Sequence, residues 1–289
     1  MPNTNFPYNN YNTPTIIDIQ KTTMNTLKQR LGWKIWLIIG CLSAWSIIVI
    51  VGYMALIKHL IDARIILVLI LPPWLCLFLY YIKISQLVRS QFWQEFALTH
   101  NWLYETKGNP EEEAGIMFHQ STNQQMHHVI TGHTESRPMR IFEFEFTKGS
   151  GENKTTYYYT VFEFKFNGQF PHLYLNQLKN HYGIKIGEKI SLPVEFEKYF
   201  TLSAPKKYEI EALQIFTPNV LEHLLKANLE HDIEIVDQEL LIFKQGCIER
   251  LEQLENEFVR AVDIAKLFAF VLDKIKLTQI GDYSYKFTN

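Results

Sequence analysis

Arg140–Phe166 reads RIFEFEFTKGSGENKTTYYYTVFEFKF. Both ends of this stretch alternate with period two, the pattern of strands. Gly149–Asn153 lies between them and supplies a turn. The reading is an antiparallel hairpin. Phe142, Phe144 and Phe146 share one face of its first strand; Tyr158, Phe162, Phe164 and Phe166 share one face of the second. With even positions opposite even positions, the two Phe sets would form one core surface. A one-residue slip would expose one set, so this register should be strongly specified. Glu143, Glu145 and Glu163, with Tyr157, Tyr159 and Lys165, would then lie on the solvated face.

Around the hairpin, Val129–Gly132 and His172–Leu175 are candidate neighbouring strands, and Gly168 and Pro171 punctuate the link to the latter. Thr217-Pro218 is a helix start, with Thr as N-cap and Pro at the first helical position. That helix should run to about Leu229. Two short strands follow, Ile233–Val236 and Leu240–Lys244, joined by Asp237-Gln238-Glu239. A long helix covers Ile248–Lys276, with Leu251, Leu254, Phe258, Ala261, Ala265, Phe268, Leu272 and Ile275 in steps of three and four. These steps fit a coiled-coil seam, which would make the chain a homo-oligomer. However, Val262, Ile264, Leu267, Phe270 and Val271 widen the apolar surface, which favours packing on the domain's own sheet.

Towards the N-terminus, two apolar runs dominate. Ile35–Ile57 is 23 residues without a charge, and Ile65–Ile82 is 18. A helix needs about 20 such residues to cross a bilayer. The expectation is therefore a two-pass transmembrane hairpin, kinked at Pro72-Pro73. Residues 1–14 are Asn/Pro/Tyr-rich and read as disordered. Ile16–Leu31 suits either a short amphipathic helix or a helical continuation of the first run. Past the second run, helical spacing continues through Leu87, Val88, Phe92 and Phe96 to about His100, as a stalk that Asn101 could end in the left-handed conformation. The domain plan is 1–33 for the tail and amphipathic helix, 34–100 for the hairpin and stalk, and 101–289 for an α+β domain with a Phe-rich antiparallel sheet. Lys21, Lys28, Arg30, Lys34, Lys83 and Arg89 flank the runs, against Lys58 and Arg64 in the loop. That bias expects an integral inner-membrane protein with its N-terminus and its C-terminal domain both cytoplasmic.

Residues 1–100 carry a net charge of +5 and residues 101–289 a net of −7. An acidic domain repels phosphate backbones, which argues against nucleic acid as a partner. Cys41 and Cys76 lie in the apolar runs and Cys247 stands alone in the domain, so no disulfide framework or C-x-x-C ligand pair exists there.

Four motifs invite chemistry. Gly149–Thr156 resembles a phosphate loop, yet Asn153 replaces the Gly that should precede Lys154, and a Tyr-rich strand follows where a helix should start. His119, His127, His128 and His133 are close enough in sequence to suggest a metal. However, adjacent His127 and His128 would point to opposite faces of a strand, and Glu135 sits across a turn. Glu143, Glu145 and Glu163 could serve glycoside cleavage, but carboxylates two apart on a strand are also an ordinary solvated face, screened by Lys165. Glu111-Glu112-Glu113 reads as a solvated loop. Cys247 has no neighbouring His in the sequence to activate it. No residue is therefore assigned a catalytic, cofactor-binding or metal role, and no cofactor is implied.

Five segments carry a family resemblance: FALTHNWLYE (Phe96–Glu105), ITGHTESRPMRIFEFEF (Ile130–Phe146), YTVFEFKFNGQFPHLYL (Tyr159–Leu175), FEKYFTLSAPKKYEIEALQIFTPNVLEHLL (Phe196–Leu225) and IEIVDQELLIFKQG (Ile233–Gly246). Over about residues 33–276 the chain resembles an uncharacterised family of bacterial membrane proteins with two N-terminal spans and a cytosolic α+β domain, a domain of unknown function. The resemblance implies the architecture and supplies no catalytic residues. The expected function is a binding or scaffolding module for a membrane-proximal protein partner, with the lipid bilayer as the other contact. The alternatives are an accessory subunit of a membrane transport or envelope-assembly system and an enzyme acting on a lipid or small molecule.

Overall fold

One long strand organises the sheet. The computed structural model describes residues 37–52, 54, 63–121, 123–134, 137–180, 186–227, 229–248 and 250–272. The expected disordered tail, the amphipathic helix at Ile16–Leu31, Glu135 and the end of the last helix beyond Leu272 lie outside them. The chain divides into two compact units, Met1–Arg89 and Ser90–Asn289.

In the first unit, α1 spans residues 37–52, and α2 (Ala63–Thr99) begins here and continues into the second unit. The Trp74 indole N–H donates to Ser46 Oγ at 3.1 Å, while Ser43 and Ser46 return their own hydroxyls to the Ile39 and Leu42 carbonyls. Ile47, Ile48, Val51, Leu71, Phe78 and Leu79 are exposed. Among the described residues no helix is long and apolar enough to cross a membrane. This corrects the two-pass hairpin, and with it the integral inner-membrane placement. In the first run the described helical residues are 37–52, about 24 Å of helix against about 30 Å of hydrocarbon. The second run lies inside α2, which contains Pro72 and Pro73 and continues past the run through Lys83, Arg89 and Glu95.

The second unit is an α+β fold around a seven-stranded antiparallel sheet. Its strands are β1 (Leu103–Gly108), β2 (Gln124–His133), β3 (Pro138–Lys148), β4 (Thr155–Gln177), β5 (Glu188–Ile190), β6 (Phe200–Ala204) and β7 (Asp232–Gln245). The order is β1-β2-β3-β4-β6-β5, with β7 also paired to β4. The 23-residue β4 pairs with β3 along its first half and β6 along its second. On β4, the expected punctuation at Gly168 and Pro171 makes a bend and no break, so His172–Leu175 is part of the same strand. Likewise Ile233–Val236 and Leu240–Lys244 are one strand, β7, bent at Asp237 (φ 52), which stands opposite Phe170.

The hairpin register is corrected by one residue. Phe142 pairs with Val161, Phe144 with Tyr159 and Phe146 with Tyr157. Lys148 pairs with Thr155, so six residues close the turn and even positions oppose odd ones. The two Phe sets therefore face opposite sides of the sheet. The phenylalanines of both sets are buried, because both sides are covered there, while Tyr158 near the turn is exposed. On the first side, Phe118 packs edge-on against Phe144, 4.8 Å between centroids. It comes from a short segment, Pro110–His119, whose Ile116 N–H donates to Glu234 at 2.6 Å. The second side meets α6 (Leu251–Leu272).

Three short helices, α3 (Val194–Glu197), α4 (Glu209–Ile215) and α5 (Pro218–Lys226), lie between β5 and β7 in the chain. Thr217 Oγ1 caps α5 by accepting from Val220 N–H. The buried face of α6 (Leu254, Ala261, Ala265, Phe268) packs inside the unit, with Phe268 edge-on to Phe216 at 5.5 Å. Asn101 (φ 56) ends α2 as its sequence suggests.

Candidate functional site

A bulge in β2 builds the most elaborate polar site. His127 lies opposite Glu143 and Ile130 opposite Ile141, so His128 and Val129 together face Phe142. Bulges of this kind re-aim a side chain. Here His128 takes φ 53, a conformation uncommon for residues other than glycine. The expectation that His127 and His128 would point to opposite faces is thereby corrected. His127 Nε2 lies 3.7 Å from Glu145 Oε1, and His128 Nε2 lies 3.8 Å from Glu143 Oε2, with the two rings 6.2 Å apart.

The His128 ring is held from several directions. Tyr104 Oη on β1 hydrogen-bonds Nδ1 at 2.9 Å. Trp93, fully buried on α2, stacks on the imidazole with planes 4° from parallel at 6.0 Å, and Tyr104 stacks at 6.2 Å. Burial raises the Tyr104 phenol above its ordinary range; Ser90 opposes that shift and Glu143 adds to it. The other histidines of the sequence cluster stay apart: His119 Nε2 hydrogen-bonds the Glu113 carbonyl at 3.1 Å, and His133 sits exposed at the end of β2.

Glu163 does not join Glu143 and Glu145, because the corrected register puts it on the other side of the sheet. It is fully buried opposite Arg140, whose Nε lies 3.1 and 3.0 Å from its two oxygens. Arg140 Nη2 also bonds Glu163 Oε2, and reaches Glu113 at 2.5 Å. Glu113, expected in a solvated loop, is thus buried in an ion pair that pins Pro110–His119 to the sheet. The Glu239 carboxylate completes a group in which oxygens of Glu113, Glu163 and Glu239 lie within 4.8 Å of one another. Three carboxylates at that spacing could hold a cation, but Arg140 already occupies the position. Lys165 stands 3.9 Å from Glu239. Burial pushes the Glu239 carboxyl up to about 7, with Glu163 and Glu113 adding to the shift.

A small cavity opens where the two ends of the bent β7 approach each other. Thr160, His231, Lys244, Cys247, Gln253 and Glu257 are among its lining residues. Lys244 Nζ bridges Glu230 at 2.6 Å and Glu257 at 3.5 Å, and His231 Nε2 faces Glu257 at 3.2 Å. Burial disfavours the Glu257 carboxylate, yet His231, Lys244 and Arg260 outweigh it and hold the group down to about 2. Cys247, isolated in the sequence, shares this cavity with a histidine 16 positions earlier, a proximity that only the bend in β7 creates.

Elsewhere, Asp232 accepts from Gln177 N–H, Tyr174 Oη and the Asn180 amide at 2.8–2.9 Å, and ties the end of β4 to the start of β7. His172 meets Glu234 at 2.5 Å. None of these pairs has a sequence signal, since the partners are 52 to 62 residues apart.

No family model matches the chain, and no curated protein does. Among solved structures, the crystal structure of the mycobacterial trehalose monomycolate transport factor A, TtfA, is similar over 63% of this chain and 94% of its own, at 13% identity and a TM-score of 0.47. At that distance the likeness assigns neither a fold nor a function to this protein.

Proposed function

We propose that this protein works by binding, with its α+β unit as a recognition or scaffolding module for a protein partner. One contrast within that unit carries the reading. Several of its buried carboxylates face opposite charges inside the fold, as Glu163 and Glu113 do on Arg140 and Glu257 on Lys244, and buried Asp232 is held by neutral donors. Large apolar side chains, by contrast, stand on its surface. Val194, Tyr199, Ile210 and Leu213 are exposed, and a 2.8 Å bond from the Leu178 N–H to the Tyr199 carbonyl sets exposed Leu178 beside Tyr199. Apolar and aromatic side chains presented on a rigid element are the usual anchors of protein interfaces. The exposed apolar helices of the first unit support the same reading.

The test is a photo-crosslinkable residue at position 199 in the full chain, with products identified by mass spectrometry from the native cell. The expected result is one reproducible protein adduct, lost when Ile210→Asp or Leu178→Asp is introduced without change in thermal unfolding. Crosslinks that never recur, or that survive both substitutions, would sink the proposal.

A further inference from the structure

The segment that covers the first side of the sheet supports an inference independent of the exposed apolar surface. We propose that Pro110–His119 is a hinged lid, closed while the carboxylates beneath it keep a proton and loosened when that proton leaves. The segment belongs to the connection between β1 and β2, whose ends come together at the Gly108–Met126 pair. Compact loops with adjacent ends are a frequent functional element, and this one can swing out without breaking either ladder. It is also braced internally. The Glu113 N–H donates to the Pro110 carbonyl at 3.3 Å, the Phe118 N–H to the Gly115 carbonyl at 3.1 Å, and the His119 ring bonds the Glu113 carbonyl at 3.1 Å. Opening would uncover the Phe142 and Phe144 rings, which lie 5.9 and 4.8 Å from the Phe118 ring.

Two polar attachments tie the lid to the sheet. The Ile116 N–H donates to Glu234 on β7, which also meets His172 on β4. Glu113 pairs with Arg140 on β3. The second attachment is the sensitive one, because Glu113, Glu163 and Glu239 crowd around a single guanidinium, with oxygens within 4.8 Å of one another. Glu163 and Glu239 are fixed in strands β4 and β7; Glu113 alone of the three sits on the lid. Lys165, 3.9 Å from Glu239, is 51% exposed and offsets little of the charge. Glu111 and Glu112 on the lid are exposed to solvent. Burial and the neighbouring carboxylates raise the Glu239 carboxyl to about 7, so it keeps its proton below neutrality. Its ionisation sets a third negative charge beside Glu113. Moving Glu113 away relieves that repulsion, so the open lid holds the Glu239 proton less tightly than the closed lid. Opening is therefore favoured as pH rises towards about 7 and levels off above it.

Amide hydrogen exchange of the full-length protein tests the lid, read by mass spectrometry at about pH 5 and pH 8 and corrected for intrinsic rates. Lid amides should exchange faster than those of β4. Their protection should fall about tenfold between the two pH values, the factor for a one-unit difference in the Glu239 pKa between closed and open lid. Glu239→Gln, which mimics the protonated carboxyl, should keep lid protection level across the range. Glu113→Gln should do the same, since the lid then brings no charge to the cluster. Should Glu113→Gln fail to fold, Glu239→Gln decides alone. A fall that persists in Glu239→Gln would assign the response to His119 or His172 and overturn the proposal. Lid amides as protected as those of β4 at both pH values would overturn it too, because the segment would then open only with the whole unit.

Discussion

Arg140 stands directly opposite Glu163 on the β3–β4 ladder, and its Nε reaches both oxygens of that carboxylate, at 3.1 and 3.0 Å. Burial alone would lower the Arg140 pKa, but Glu163 and Glu113 hold it up, so the guanidinium stays charged. Arg140→Met leaves two buried carboxylates without a counter-charge. It should destabilise the unit by about 3 kcal/mol, the scale for breaking a buried pair. Arg140→Met with Glu163→Leu should lose less than Arg140→Met alone. Urea unfolding of the two single variants and the double variant measures the coupling. A double variant as unstable as the simple sum would show that the pair is not coupled.

Glu239 gives the domain a stability that falls as pH rises. Its carboxyl is raised to about 7 in the folded unit, above its ordinary 4.5. Between those values the folded state holds a proton that the unfolded state has released, so stability declines from about pH 4.5 to 7. Asp232, raised to about 6 by burial, contributes in the same direction. Glu239→Gln should flatten the decline and stabilise the protein by about 1–2 kcal/mol at pH 8, after allowance for screening. Thermal unfolding at pH 5 and pH 8 is the check; equal effects at both pH values would contradict it.

The local elements were legible in the sequence because their signals are local. Thr217-Pro218 marks the start of α5, Asn101 the end of α2, and the alternation in Arg140–Phe166 two strands. What failed depends on what covers each face. Alternation by itself implies one solvated face, whereas Pro110–His119 and α6 bury both, and nothing in the Phe pattern distinguishes the two registers when both sides are apolar. The candidate site failed for a related reason. A single extra residue at His128 reverses the alternation that would otherwise separate it from His127, and no composition signal announces a bulge. The length of an apolar run misled in the same manner, since it specifies a helix without specifying its surroundings.

Glu257 acts on the acid side. Its pKa lies below the ordinary value, so the stabilisation it brings is complete above about pH 4.5 and is lost as pH falls from there through about 2. Lys244 and Arg260 are partly exposed, which reduces the effect. Glu257→Gln should cost about 1–2 kcal/mol at pH 7. The difference from wild type should narrow between about pH 4.5 and 3, measured by urea unfolding.

Thr217 Oγ1 satisfies the Val220 N–H at the first turn of α5. Thr217→Ala should cost about 1 kcal/mol, and Thr217→Ser much less. Equal losses for the two substitutions would rule out the cap as the source.

β4 bends with β7 at Phe170 and Asp237 and gives its two halves to different neighbours. Both halves therefore share one backbone and one continuous partner. The β3 side cannot peel away without loosening the strand on which the β6 side is hydrogen-bonded. Amide exchange should accordingly place β3, β4, β6 and β7 in a single slow class. The same connection limits dissection of the protein: a cut anywhere in Thr155–Gln177 breaks a strand that both halves need, so the unit is inherited, expressed or lost as a whole.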